Sequence, residues 1–166
     1  MSNCDNCPSK DGCTSQESCT IENNPHNHIK HVIGVMSGKG GVGKSTVSVM
    51  LARTLKARGS RVGIMDADIT GPSIPRLLGV ENAKAMSNEP GIVPVKSSEG
   101  IDVISLNFFM SDEEQPVIWR GPLIAGAVKQ FWTDVIWGEL DYLVIDMPPG
   151  TGDVALTVMQ SMAING

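Results

Sequence analysis

Gly38-Lys39-Gly40-Gly41-Val42-Gly43-Lys44-Ser45 is the stretch from which the rest of this chain is read. It fits G-x-x-x-x-G-K-[ST], and it lies between an apolar run, His31 to Met36, and a segment where Val47, Met50, Leu51 and Leu55 recur at helical spacing. Strand, glycine loop and helix in that order form an anion cradle. Glycines let successive backbone N–H groups turn inward, the helix N-terminus adds its positive dipole end, and Lys44 neutralises the outer phosphates. Gly38, Lys39, Gly40, Gly41, Val42, Gly43, Lys44, Ser45 and Thr46 are therefore expected to bind nucleotide, with Ser45 also a ligand to Mg²⁺. A purely structural turn accounts for a glycine or two but not for Lys-Ser in this register. Gly38, Gly40 and Gly43 also satisfy the dinucleotide fingerprint G-x-G-x-x-G, with Asp66 placed 23 residues beyond Gly43 as a ribose-binding acid. Against that rival stand Lys44, which the fingerprint does not require, and a second strand ending in an aspartate, Asp146-Met147-Pro148-Pro149-Gly150.

Outward from the loop, strands and helices alternate. Gly59 stops the first helix, and Arg61 to Asp66 reads as the next strand. Ser73 to Leu78 reads as a short helical turn, while Ile92 to Val95 and Ile101 to Leu106 read as a hairpin or two short strands. Gly121-Pro122 opens a helix with Ile124, Val128, Phe131 and Val135 on one face. Tyr142 to Met147 is a further buried strand, and Asp153 caps a last helix reaching about Ala163. This order predicts a three-layer α/β/α domain with a mainly parallel sheet. The chain reaches Gly166 where the alternation requires another strand, so the domain is expected to be truncated at its C-terminus. The expected division is a flexible cysteine-containing tail, 1–30, and an incomplete nucleotide domain, 31–166.

Composition narrows the function. The 166 residues are 41% apolar before 18 glycines are counted, a globular composition that excludes collagen and coiled coil for most of the chain. Thirteen basic residues against 18 acidic ones give a net charge of -5, a poor footprint for nucleic acid. No apolar stretch approaches the ~20 residues of a membrane helix, and no signal-peptide core is present. A cytoplasmic protein without nucleic-acid or membrane partners is expected.

Three aspartates complete the candidate chemistry. Asp146 closes an apolar strand, the place from which a carboxylate supports Mg²⁺ behind a phosphate loop. Asp66 and Asp68 lie two apart at the end of the second strand and share a face in extended backbone, one to activate or orient water, the other to support Mg²⁺. Ordinary strand-end or turn acids are the plainer reading of each.

Lys39, a second lysine early in the loop, resembles the signature of the deviant phosphate-loop ATPases, which include septum-positioning and plasmid-partition ATPases and the nitrogenase iron protein. The resemblance implies a nucleotide-sandwich homodimer in which Lys39 reaches the partner's nucleotide and Asp68 sits near the attacking water, with Gly150 to Asp153 as a second switch. Within that class, Asp68-Ile69-Thr70-Gly71-Pro72-Ser73-Ile74-Pro75, Trp119-Arg120-Gly121-Pro122 and Asp146-Met147-Pro148-Pro149-Gly150-Thr151-Gly152-Asp153 are similar to the Mrp-type iron-sulfur cluster carriers, from His31 to Gly166. That family implies an ATPase that holds a transferable [4Fe-4S] cluster and passes it to apo-proteins. Trp119 to Pro122 is either a strand-to-helix junction or a link between switches. The family's bridging C-x-x-C pair has no counterpart, because no cysteine follows Cys19. ATP rather than GTP rests on the resemblance.

Cys4, Cys7, Cys13 and Cys19 offer four thiolates in a polar segment, a set suited to a [4Fe-4S] cluster or to Zn²⁺ and too soft for Mg²⁺. Cys4-x2-Cys7-Pro8-x4-Cys13 is similar to the N-terminal cluster segment of the eukaryotic-type scaffold branch, where the fourth cysteine lies upstream of these three. His26, His28 and His31 read as solvated linker histidines. The expectation is an iron-sulfur carrier or scaffold in which Lys39, Lys44 and Asp68 drive slow ATP hydrolysis. The alternatives are a positioning ATPase, a redox ATPase and a nucleotide-locked scaffold that never turns over.

Overall fold

The computed structural model describes residues 24–68, 73–88, 91–109, 121–150, 159, 162 and 164–166. In chain order these form β1 His28–Val35, α1 Lys44–Ala57, β2 Val62–Asp66, α2 Ile74–Leu77, β3 Met86–Asn88, β4 Gly91–Val93, β5 Val95–Lys96 and β6 Asp102–Ser105. A 3₁₀ turn at Leu106–Phe109, α3 Gly121–Asp134 and β7 Glu139–Asp146 follow. One five-stranded sheet runs β1-β7-β2-β6-β5, parallel throughout except that β5 pairs antiparallel with β6. The mainly parallel α/β architecture expected from the alternation is thus the one observed.

Central strands explain their own composition. Every residue of β2 is buried, as are the last four of β7, because helices cover both faces of a parallel sheet and leave no polar side to alternate with. One face carries α1. On the other, a Cβ at Gly63 would stand 2.7 Å from Leu140 Cδ1 and 2.9 Å from Trp137 Cε3, so glycine is what admits the indole to the strand. Gly63 and Asp66 fall on opposite faces of β2, so Trp137, just past α3, covers the side away from α1. Ile64, Met65, Ile104, Leu143, Val144 and Ile145 form the centre of the core.

Several boundaries differ from the sequence reading. β1 begins at His28, three residues before the expected His31, and β7 begins at Glu139 rather than Tyr142. Both additions are paired, His28 with Glu139 and Ile29 with Leu140, so strand pairing recruits polar residues that the apolar pattern leaves out. Asn24 to Asn27 are also held: Asn27 Nδ2 donates to Val135 O at 2.8 Å, and Asn27 Oδ1 accepts from Trp137 N at 2.7 Å and Gly138 N at 3.0 Å. Residues 1–23, with all four cysteines, lie outside the described residues.

The region between Ile92 and Leu106 divides in two. Ile92 belongs to a hairpin of β3 and β4, with Met86 opposite Val93, whereas Val95 and Lys96 pair with Val103 and Asp102. The segment Ile69 to Pro72, the junction Trp119-Arg120 and most of the helix expected from Asp153 to about Ala163 fall on residues outside those described; of that helix, Met159 is helical and exposed and Met162 is buried. At the chain's last residues, Asn165 N donates to Val32 O and Gly34 N to Gly166 O, both at 3.0 Å, so this segment lies along the outer edge of β1. Among the described residues no helix is long and apolar enough to cross a membrane.

Candidate nucleotide site

The site forms where parallel strands end and helices begin. Asp66 and Asp146, the last residues of β2 and β7, are register partners, and Asp66 also pairs with Ser105 at the end of β6. Glycine geometry brings α1 to this edge. Gly41 and Gly43 have φ of +76° and +89°, a left-handed backbone that L side chains avoid, and Gly43 is the residue from which α1 starts. Gly150 N donates to Ser37 O at 2.8 Å and Met147 N to Val35 O at 3.1 Å, tying the loop to the turn after β7.

α1 lays a polar face on the strand ends. Ser45 Oγ donates to Asp146 Oδ2 at 2.6 Å, and Ser48 Oγ donates to Asp146 Oδ1 at 2.7 Å. Lys44 Nζ lies 2.8 Å from Asp146 Oδ2 and 3.4 Å from Asp68 Oδ2. These are ion-pair distances without hydrogen-bond alignment, so the buried ammonium keeps unused donor capacity. The helix therefore buries Lys44, Ser48, Val49 and Ala52, whereas Val47 and Met50 of the expected apolar stripe are exposed, at 55% and 62%. Tertiary contact with Asp146 overrides the apolar periodicity.

Asp66 is 2% exposed. Its Oδ1 accepts from Asp68 N at 3.1 Å and its Oδ2 from Ser105 Oγ at 3.3 Å. Burial, followed by the charge of Asp146, pushes its carboxyl up to about 7, and those two hydrogen bonds oppose the rise.

An open cleft of about 780 Å³ lies in front of this constellation. Of the sequence-derived candidates, Gly40, Gly41, Gly43, Lys44, Ser45, Thr46 and Asp68 line it. Gly38, Lys39 and Val42 sit on the exposed outer side of the loop, and Asp66 and Asp146 stand buried behind it. Sequence reasoning missed Ser37, Ser73, Arg76, Leu77 and Pro149 in the wall, and Ser48 beneath it. Ser48 lies one helical turn after Lys44 and so shares its face, a signal the apolar stripe obscured. His26, His28 and His31 lie away from this edge: His28 opens β1, and His31 stacks on Tyr142 with ring centroids 5.1 Å apart. Among the described residues no three His, Cys, Asp or Glu side chains form a metal-ligand set.

A hydroxyl, a carboxylate and an under-committed ammonium at a glycine loop suit phosphate with a hard cation. Ser45 Oγ and Asp146 Oδ2 are oxygen donors fitted to Mg²⁺, which takes few protein ligands and the rest from phosphate and water.

Comparison with known proteins agrees with this chemistry. Residues 28–166 match the family described as ParA, NUBPL iron-transfer P-loop NTPase. An iron-sulfur cluster carrier protein of Methanocaldococcus jannaschii is 52% identical over 164 residues, 96% of this chain and 57% of that protein. A cytosolic Fe-S cluster assembly factor Nubp2 homolog of Drosophila virilis is 50% identical over 81% of this chain and 51% of its own length. A nucleotide-binding protein of Archaeoglobus fulgidus, solved in complex with ADP, superposes with a TM-score of 0.69 at 50% identity, covering 80% of this chain and 50% of that one. The chain spans about half the length of these relatives.

Proposed function

This chain belongs to the ParA-type family of NUBPL iron-transfer P-loop NTPases, and from that premise we propose that it is the nucleotide-switched part of an iron-sulfur cluster carrier. In this reading it binds ATP with Mg²⁺, hydrolyses it slowly as a homodimer, and hands [4Fe-4S] clusters to apo-proteins in the cytoplasm. The names of the relatives support the carrier role, and the cytosolic assembly factor supports the location. One observation carries the nucleotide half: the Asp146 carboxylate gathers Lys44, Ser45 and Ser48 at the base of the glycine loop.

In-line attack of water on a terminal phosphate needs positioning and charge neutralisation more than covalent help. Lys44 serves the phosphates, and the Asp68 carboxylate, in the cleft wall 3.4 Å from Lys44 Nζ, is placed to orient water. Ser45 and Asp146 would hold Mg²⁺, with Asp66 buried behind them. When bound, that ion offsets the phosphate oxygens' charge. Lys39, exposed on the loop and outside its own cleft, is free to reach a partner subunit's nucleotide. Cys4, Cys7, Cys13 and Cys19, in the sequence before the described residues, supply four thiolates for iron-sulfur or zinc.

Two measurements test this. Lys44→Ala abolishes ATP binding in titration calorimetry, and an unchanged affinity overturns the site. Anaerobic reconstitution with iron and sulfide gives visible charge-transfer absorption that Cys-to-Ser replacement removes, followed by transfer to an apo-protein. A colourless product with ATPase activity intact points instead to a positioning ATPase.

A further inference from the structure

The cleft is short of positive charge. Asp68 lines it, with Asp66 and Asp146 buried behind, and Lys44, the one buried cation among the described residues, already lies within 3.4 Å of the Asp68 and Asp146 carboxylates. Lys39 does not line the cleft. A polyphosphate entering here meets an ammonium whose field is largely compensated by its neighbours.

A second cation stands in the same wall. Arg76 lines the cleft from α2, next to Ser73 and Leu77. That turn is fixed in place: Ile74, Pro75 and Leu78 are buried, and Arg53 Nη2 donates to Leu77 O at 3.3 Å while pairing with Glu99 at 2.6 Å. The Arg76 side chain is exposed and has no ion pair or hydrogen bond among the described residues, so a rigid base carries an uncommitted guanidinium. A guanidinium presents a planar fork of donors that matches phosphate oxygens in pairs.

We propose that Arg76 is the second phosphate-binding cation of this cleft and makes it prefer a nucleoside triphosphate over the diphosphate. This rests on the reading of the cleft as a nucleotide site. The glycine loop, Lys44 and Ser45 belong to one continuous segment and serve the phosphates it wraps. Arg76 comes from a separate element that the loop does not position. It is therefore the group suited to the additional anionic phosphate that distinguishes the two ligands.

The test is calorimetric titration of a non-hydrolysable ATP analogue and of ADP, each with Mg²⁺, into the wild type, Arg76→Ala, Arg76→Lys and Lys44→Ala. Loss of a charge-assisted contact predicts that Arg76→Ala weakens the analogue by about tenfold or more and ADP by less than about twofold. Arg76→Lys recovers part of the loss, since it keeps the charge but not the fork. Equal weakening of both ligands, or of neither, overturns the proposal. Wild type that binds neither nucleotide overturns the nucleotide reading as well. Loss of binding in Lys44→Ala with an unchanged Arg76→Ala overturns the role of Arg76 alone. An indirect structural role would not separate the two ligands.

Discussion

Asp66 and Asp146 are register partners on adjacent parallel strands, each the last residue of its strand, so two carboxylates meet on one face of the sheet directly beneath α1. Asp146 accepts from Ser45 and Ser48 and pairs with Lys44, whereas among the described residues Asp66 accepts only from Ser105 and a backbone amide, and its burial, then the charge of Asp146, raises its carboxyl.

The buried Asp66 gives a pH dependence. The folded carboxyl of Asp66 titrates near about 7, raised from 3.8, so the folded state holds its proton after the unfolded chain has lost it. The associated stability is complete below the unfolded value and is lost as pH rises through about 7, with a slope of at most about 1.4 kcal/mol per pH unit. Urea unfolding of the wild type and Asp66→Asn across this range checks it. The difference between the two stabilities shifts with pH in favour of the variant as pH rises, and a constant difference contradicts the assignment.

Ser48 is fully buried, and its hydroxyl donates to Asp146 and lies 3.2 Å from Lys44 O. Ser48→Ala leaves a charged acceptor one donor short inside the protein, at a cost of about 1–3 kcal/mol. The expected result is a lower urea midpoint without a changed m-value; an unaltered midpoint would show that water replaces the hydroxyl.

Two glycines separate packing from binding. Gly63→Ala drives a methyl into Leu140 and Trp137 and costs about 1–3 kcal/mol, with nucleotide affinity retained because the contact faces away from α1. Gly43→Ala meets no atom within 4 Å but must adopt a φ of +89° at the start of α1, so it impairs ATP binding directly. Melting curves and titrations on both variants give opposite patterns; a shared pattern refutes the distinction.

Asn27→Ala removes three hydrogen bonds between the residues before β1 and the α3–β7 connection, at about 1 kcal/mol each. Hydrogen exchange at the Trp137 and Gly138 amides then accelerates relative to the strands. Unchanged protection there means the clasp contributes nothing to local stability.

What the sequence determined by itself was local. The glycine loop between an apolar strand and a helix, the alternation that yields a parallel sheet, and Asp146 at a strand end are all encoded by neighbouring residues, and short-range spacing suffices to read them. The tertiary structure decided everything that depends on which distant segments meet. The pairing of Asp66 with Asp146, the turning of Ser48 inward in place of Val47, the arrival of Arg76 in the wall and the capture of Asn27 by the α3–β7 turn each need a strand register or a helix rotation. Those are set by the summed packing of the whole core; helical spacing puts Ser48 on the face of Lys44 but does not say that this face turns inward.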